Sequence, residues 1–185
     1  MAAYRVRHRK SESYHNILFY VITVVVSFVL VSGFLFFVGY RTVVNGESME
    51  PTLRDEDNVI VDKISYRLHK EKRYDVIVFH KPEDEKTYLV KRLIGFPGER
   101  ILIRDGIVYI NGKSLEKDTS LDGYTIPFDM EKEITVPKNC YFVLGDNRYN
   151  SMDSRDHRIG FISKDNVVGK VVFRIYPFSK FGKIQ

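Results

Sequence analysis

The sequence predicts a mainly β protein in which one N-terminal transmembrane helix precedes an antiparallel β-sheet or barrel-like domain. Three observations carry that prediction. Ile17 to Tyr40 is an apolar run without a formal charge. After it come many short stretches of β-branched and aromatic residues separated by turn formers. No long amphipathic helix, internal repeat or low-complexity segment follows residue 40.

Taken in order, the chain starts with a basic segment, residues 1–16, holding Arg5, Arg7, Arg9 and Lys10 against Glu12. The apolar run 17–40 would reach roughly 36 Å as a helix, enough to cross a hydrocarbon core of about 30 Å. Tyr20 and Tyr40 lie near its ends, where amphipathic rings sit. A cleaved signal peptide has an apolar core of only about 7–15 residues, and no A-x-A-like site follows here. A buried soluble helix would show a polar face, and this run has none. It is read as a transmembrane helix. The excess of cationic residues before it places the N-terminus in the cytoplasm and residues 41–185 outside, as a single-pass protein of the cell membrane.

Residues 41–185 read as an extracytoplasmic catalytic domain. Strands are predicted at Arg41–Val44, Val59–Ile64, Tyr74–Phe79 and Thr87–Ile94. Ile101–Arg104 and Ile107–Ile110 flank Asp105-Gly106, a strong hairpin signal, and Asn111-Gly112 makes a second turn. Residues 113–135 are polar and read as an irregular excursion or small subdomain. Tyr141–Leu144 and Val167–Tyr176 complete the strands.

Composition narrows the function. The formal charge of +5 suggests a nucleic-acid binder until it is divided along the chain. The N-terminal segment carries most of it, so a basic face on the main domain is unsupported and nucleic acid is not expected. Cys140 is the single cysteine, and it sits in a strand-like run as a buried core thiol. No phosphate-binding glycine loop or metal-ligand cluster is visible, so neither cofactor nor metal is expected.

Two stretches carry candidate chemistry. The first is Gly46-Glu47-Ser48-Met49-Glu50-Pro51-Thr52-Leu53 and the second is Lys91-Arg92-Leu93-Ile94-Gly95-Phe96-Pro97-Gly98-Glu99. A serine hydroxyl needs a base to become a nucleophile. Lys91 is the candidate base for Ser48, because Leu89 and Leu93 share its strand face and would strip water from the ammonium. A lysine brought down toward about 7–8 is a competent general base. On the strand pattern alone, a snorkelling surface lysine is the favoured reading, and a third stretch shifts the balance. Among the five histidines, His157 is the alternative base. That third stretch, Gly145 to Arg155, is dense in turn formers directly after a buried strand, where sites are commonly built.

Together these stretches resemble the type I signal peptidases, membrane-bound endopeptidases of the Ser/Lys dyad type. The pattern S-M-x-P-T-L stands as Ser48 to Leu53, K-R-x-x-G-x-P-G-[DE] as Lys91 to Glu99, and G-D-N-x-x-x-S-x-D-S-R as Gly145 to Arg155. Arg73 to Phe79 is similar to the family's R-G-D-I-V-V strand, with Tyr74 in place of glycine. The likeness runs from the anchor to Tyr176-Pro177-Phe178, in the compact, single-helix form typical of Gram-positive relatives.

The resemblance implies a mostly β peptidase that removes signal peptides from exported preproteins through an acyl-enzyme, after small residues at −1 and −3. It implies Ser48 as nucleophile, Lys91 as base and Ser151 as the hydroxyl that orients the lysine amine. Asp153 and Arg155 resemble a structural ion pair, with Asp146 and Asn147 shaping the same loop. The Ser48 backbone N–H is one implied oxyanion donor. Relatives that use a hydroxyl two residues earlier have Gly46 there in this chain, which leaves the second donor unassigned. Met49 is a candidate for contact with substrate or lipid and equally for the core. Preproteins, membrane lipid and the export machinery are the implied partners. Two other readings stay open: a Ser/Lys autoprotease, and a catalytically inactive membrane-anchored β-sheet binding module.

Overall fold

Uninterrupted apolar sequence and strand-like sequence fall in different compact units. The computed structural model describes residues 16–33, 39–82, 84–115, 123–130 and 132–184, in two compact units divided between Val38 and Gly39. Most of the basic segment, residues 1–15, lies outside the described residues. Helix α1, Asn16–Gly33, is long and apolar enough to cross a membrane, and all its side chains are exposed. The expected helix 17–40 is shorter at its C-terminal end. Residues 34–38 lie outside the described residues, and Gly39 and Tyr40 open strand β1 (Gly39–Val43). Tyr40 pairs with Val61 and packs on the domain core, with the Lys63 ammonium 4.4 Å from its ring centre. It is a residue of the sheet.

The second unit is antiparallel throughout. Its strands continue as β2 (Asn58–Asp62), β3 (Val76–Lys81), β4 (Asp84–Gly95), β5 (Arg100–Arg104), β6 (Ile107–Ile110), β7 (Lys113–Ser114), β8 (Ile134–Thr135), β9 (Cys140–Leu144), β10 (Ile162–Ser163), β11 (Val167–Tyr176) and β12 (Gly182–Lys183). The large sheet runs β1-β2-β11-β3-β4-β9-β10, with β12 on β11, and the small sheet runs β7-β6-β5-β8. Both turn signals form hairpins, with Asp105-Gly106 and Asn111-Gly112 all at positive φ. The polar segment 113–135 contributes β7 and β8, while 116–122 and 131 lie outside the described residues.

Two strands begin or end where side chains intervene. The expected strand Val59–Ile64 stops at Asp62, whose carboxylate accepts from the Ile64 and Ser65 N–H groups and starts the one-turn helix α2 (Ser65–Leu68). The expected strand Tyr74–Phe79 begins at Val76, because Tyr74 takes φ 74°. That left-handed conformation is the one a glycine adopts freely.

Three apolar clusters fill the domain. One gathers Val44, Met49, Leu53, Val59, Val61, Val76, Val78, Val171 and Ile184. The second lies between the sheets around Ile94, Ile101 and Phe142, and the third around Ile77, Phe79, Leu93 and Tyr141. Long strands β4 and β11 thread through these clusters and fix the frame on which the three motif stretches meet.

Candidate active site

Ser48 stands at the head of a tight turn whose following residues are driven into the core. Met49 and Leu53 are fully buried in the first cluster, and the Leu53 N–H donates to Met49 O at 2.9 Å. Arg174 of β11 pins the turn from behind, donating to Thr52 O at 3.0 Å and to Asp57 Oδ2 at 2.8 Å. Gly46, at φ 91°, turns the chain into the segment, and its N–H donates to Asp55 Oδ1 at 2.7 Å. The Ser48 N–H donates to none of the described groups.

Strand β4 supplies the partner. Lys91 Nζ donates to Ser48 Oγ at 2.7 Å and to Val90 O at 3.0 Å. Lys91 is only 3% exposed. Burial therefore pulls its pKa down from the ordinary lysine value to about 8, against an upward pull from the Asp153 and Asp146 carboxylates. The apolar neighbours expected on its strand face are present: Leu93 is fully buried and Leu89 packs on the same cluster.

The third stretch closes the site from the other side. At Gly145, a Cβ would stand 2.1 Å from Ser151 Oγ and 2.5 Å from Ser48 O, so only glycine lets these chains meet. The Gly145 N–H donates to Asp153 Oδ2 at 2.9 Å. Asp153 in turn receives Arg155 in a two-pronged bond at 2.9 and 2.8 Å, both side chains being buried. The expected ion pair is thus formed. Asn147 bonds both sides of the nucleophile, its backbone N–H to Ser48 O at 3.1 Å and its Nδ2 to Glu47 O at 3.3 Å.

The contact implied between Ser151 and the lysine amine is not made among the described residues. Among the described residues, Ser151 Oγ is buried beside Gly145 without a hydrogen-bond partner, and Val90 O, not Ser151, is the second contact of the lysine amine. Met49 belongs to the core, although it also lines the cleft beside Ser48. His157, the alternative base, is mostly exposed and its Nδ1 lies 2.8 Å from Asp129, while Ser48 Oγ is engaged by Lys91.

The sequence reading missed Arg92 and Thr52. Arg92, 1% exposed, donates through Nε and a terminal nitrogen to the two carboxylate oxygens of Asp146 at 2.7 and 2.6 Å. The Thr52 hydroxyl donates to Asp146 Oδ2 at 2.6 Å and accepts from Arg92 at 3.1 Å. One residue from each motif stretch thus joins a single buried network. The signal was legible: adjacent cations in the apolar run Leu89 to Ile94 must find partners if the strand is buried.

Two clefts flank the Ser48–Lys91 contact. One of about 470 Å³ runs between Thr42–Asn45 and Lys86–Lys91, floored by Met49 and Val78. The other, about 570 Å³, opens past Glu47 toward Asn150 and Met152. A base-activated serine between two open grooves is an arrangement for attacking a carbonyl within an extended chain.

The family model described as "Signal peptidase, peptidase S26" matches residues 15–176. The chain belongs to this family. Signal peptidase I of Bacillus caldolyticus is 45% identical over 157 residues, covering 78% of this chain and 84% of that one. Signal peptidase IB of Staphylococcus aureus is 37% identical over 185 residues, covering 90% and 93%. A crystal structure of a signal peptidase I from Enterococcus faecalis V583, 36% identical, aligns with a TM-score of 0.47 over 55% of this chain and 97% of that one. As a signal peptidase family member the chain is a serine peptidase with a mainly antiparallel β domain, as the sequence led one to expect. The family's membrane setting accords with α1.

Proposed function

We propose that this chain removes N-terminal signal peptides from exported preproteins, with Ser48 as nucleophile and Lys91 as its general base. The observation that carries the proposal is the 2.7 Å bond between Lys91 Nζ and Ser48 Oγ, made by a lysine that burial brings to about 8. A lysine in this range holds a useful neutral fraction near neutral pH.

The steps follow from the geometry. Neutral Lys91 takes the Ser48 proton as Oγ attacks the scissile carbonyl. The ammonium so formed protonates the leaving amine, giving an acyl-enzyme on Ser48. Neutral Lys91 then takes a proton from water, whose oxygen attacks the ester, and returns it to Ser48 Oγ. The Ser48 N–H, uncommitted among the described groups, is positioned as an oxyanion donor. Asp153–Arg155 and Arg92–Asp146 hold the loop and strand that carry the dyad.

The substrate lies in the cleft between Thr42–Asn45 and Lys86–Lys91 as an added strand. β3 pairs β4 on one side, but β9 pairs only its Arg92, Leu93 and Gly95, so Thr87–Val90 offer an open edge. In an extended chain residues −1 and −3 face the same way, toward one wall. Apolar Val44, Met49 and Val78 along the cleft then favour small uncharged residues there. The N-terminus faces the cytoplasm and the catalytic domain the other side, where membrane lipid and the export machinery are its neighbours.

The test is cleavage of a preprotein whose signal ends in Ala-x-Ala, using wild type, Ser48→Ala and Lys91→Ala in detergent, each checked by circular dichroism. Cleavage at that bond by wild type alone supports the proposal. Cleavage of only its own chain points to an autoprotease, and a folded wild type that binds without cutting points to the binding module.

A further inference from the structure

The catalytic serine is flanked by two carbonyl groups, and one residue holds both. Asn147 gives its backbone N–H to Ser48 O at 3.1 Å and its Nδ2–H to Glu47 O at 3.3 Å. Its Oδ1 accepts from the Asn150 N–H at 3.3 Å, which orients the amide so that nitrogen faces Glu47. Glu47 C=O and Ser48 N–H are the two ends of one planar peptide unit. A donor on the carbonyl therefore fixes the direction in which the N–H points. It also polarises the amide, because hydrogen bonds at the two ends of a peptide strengthen one another. The Glu47 carboxylate, 3.4 Å from Asn150 Nδ2, ties the same loop to the same peptide.

We propose that Asn147 is a positioning residue for the oxyanion donor: its side chain aims and polarises the Glu47–Ser48 peptide so that the Ser48 N–H meets the developing oxyanion. This rests on the peptidase reading above. It accounts for a site in which Gly46 brings no hydroxyl: its single N–H is committed to Asp55, so the burden on the Ser48 N–H is larger. Asn147 itself touches neither Lys91 nor Ser48 Oγ among the contacts of the described residues. Its effect is thus confined to charge on the substrate oxygen and separate from the proton on the lysine.

Asn147→Ala makes the test, since it removes the side-chain donor to Glu47 O and adds no charge beside Lys91. Steady-state cleavage of the Ala-x-Ala preprotein is measured across pH for wild type and variant. Alongside it, inhibition is compared between a peptide aldehyde, which adds to Ser48, and the matching alcohol, which does not. The expected result is a fall in kcat of about 10- to 100-fold, smaller than or equal to the loss of a whole oxyanion donor. KM stays within about twofold, and the pH at which the rate rises does not move. The aldehyde weakens by about the same factor as kcat while the alcohol binds as before. Unchanged kcat overturns the proposal. So does a displaced pH profile, or equal weakening of both inhibitors, which would mean a distorted lysine or cleft. If Asn147→Ala does not fold, Asn147→Ser is read by the same measures. Failure of the underlying peptidase reading looks different, because wild type itself would neither cleave nor respond to the aldehyde.

Discussion

The catalytic role proposed for Lys91 comes at the expense of stability. The Lys91 ammonium is buried, and the folded state disfavours its proton, so at pH 7 the chain carries a desolvated charge. The penalty fades as pH rises from about 8 toward the ordinary lysine value near 10.5, where the unfolded chain also loses the proton. Lys91→Met should therefore abolish cleavage yet raise stability at pH 7 by about 1–3 kcal/mol. Thermal unfolding in detergent would show a Tm higher by a few degrees, with the gain shrinking by pH 10. Gly145→Ala makes the complementary case: a Cβ 2.1 Å from Ser151 Oγ and 2.5 Å from Ser48 O must push the nucleophile's own backbone aside. A kcat loss of at least about 100-fold in a folded protein is expected from such displacement. At this scale the dyad was legible through the motif resemblance, since the strand pattern around Lys91 alone reads as a surface lysine. The sequence could not give the contact that Lys91 makes with Val90 O, because that depends on the side chain folding back along its own strand.

Strand β4 and the turns around it act as a frame through buried ion pairs. Arg92, Asp146 and Thr52 form one network with no exposed charge, so removing the Asp146 charge takes a paired carboxylate from a guanidinium in the core. Asp146→Asn should cost about 3–5 kcal/mol. Glu133→Gln, which breaks the exposed Arg100–Glu133 pair at 3.5 Å, should cost at most about 1 kcal/mol. Chemical denaturation of both variants measures the contrast, and equal losses would contradict it. Element by element, the hairpins at Asp105-Gly106 and Asn111-Gly112 were legible because their turns demand those residues. Strand ends were not, since Asp62 and Tyr74 decide them through a carboxylate that accepts from the next turn's N–H groups and through a positive φ. The two-residue strands β8, β10 and β12 carry no periodicity to read. Gly39 and Tyr40 continue an apolar run in sequence, and only their pairing with Asp62 and Val61 assigns them to the sheet.

The molecule divides into an apolar helix and a β domain with its own three-part core. Among the described residues, the three clusters are built from residues within 39–184, and the segment 39–185 is predicted to fold without the first 38. Near-UV circular dichroism and cooperative unfolding of the shortened chain check this, and a molten, non-cooperative product would contradict it. The architecture was legible at this scale because an uncharged run and many short strands have few ways to coexist. What the sequence could not supply was the meeting of three distant stretches at one point, which depends on sheet order and on Gly145 admitting close backbone contact.

The central claim is that a buried, partly neutral lysine drives Ser48. The most direct test is the pH dependence of kcat/KM for preprotein cleavage. The account predicts activity that rises with pH to a plateau, with a midpoint near the value of about 8 given by the burial of Lys91. It also predicts that Lys91→Ala loses activity at every pH. A midpoint near 6.5, or substantial activity in Lys91→Ala, would assign the proton to a histidine and contradict the account.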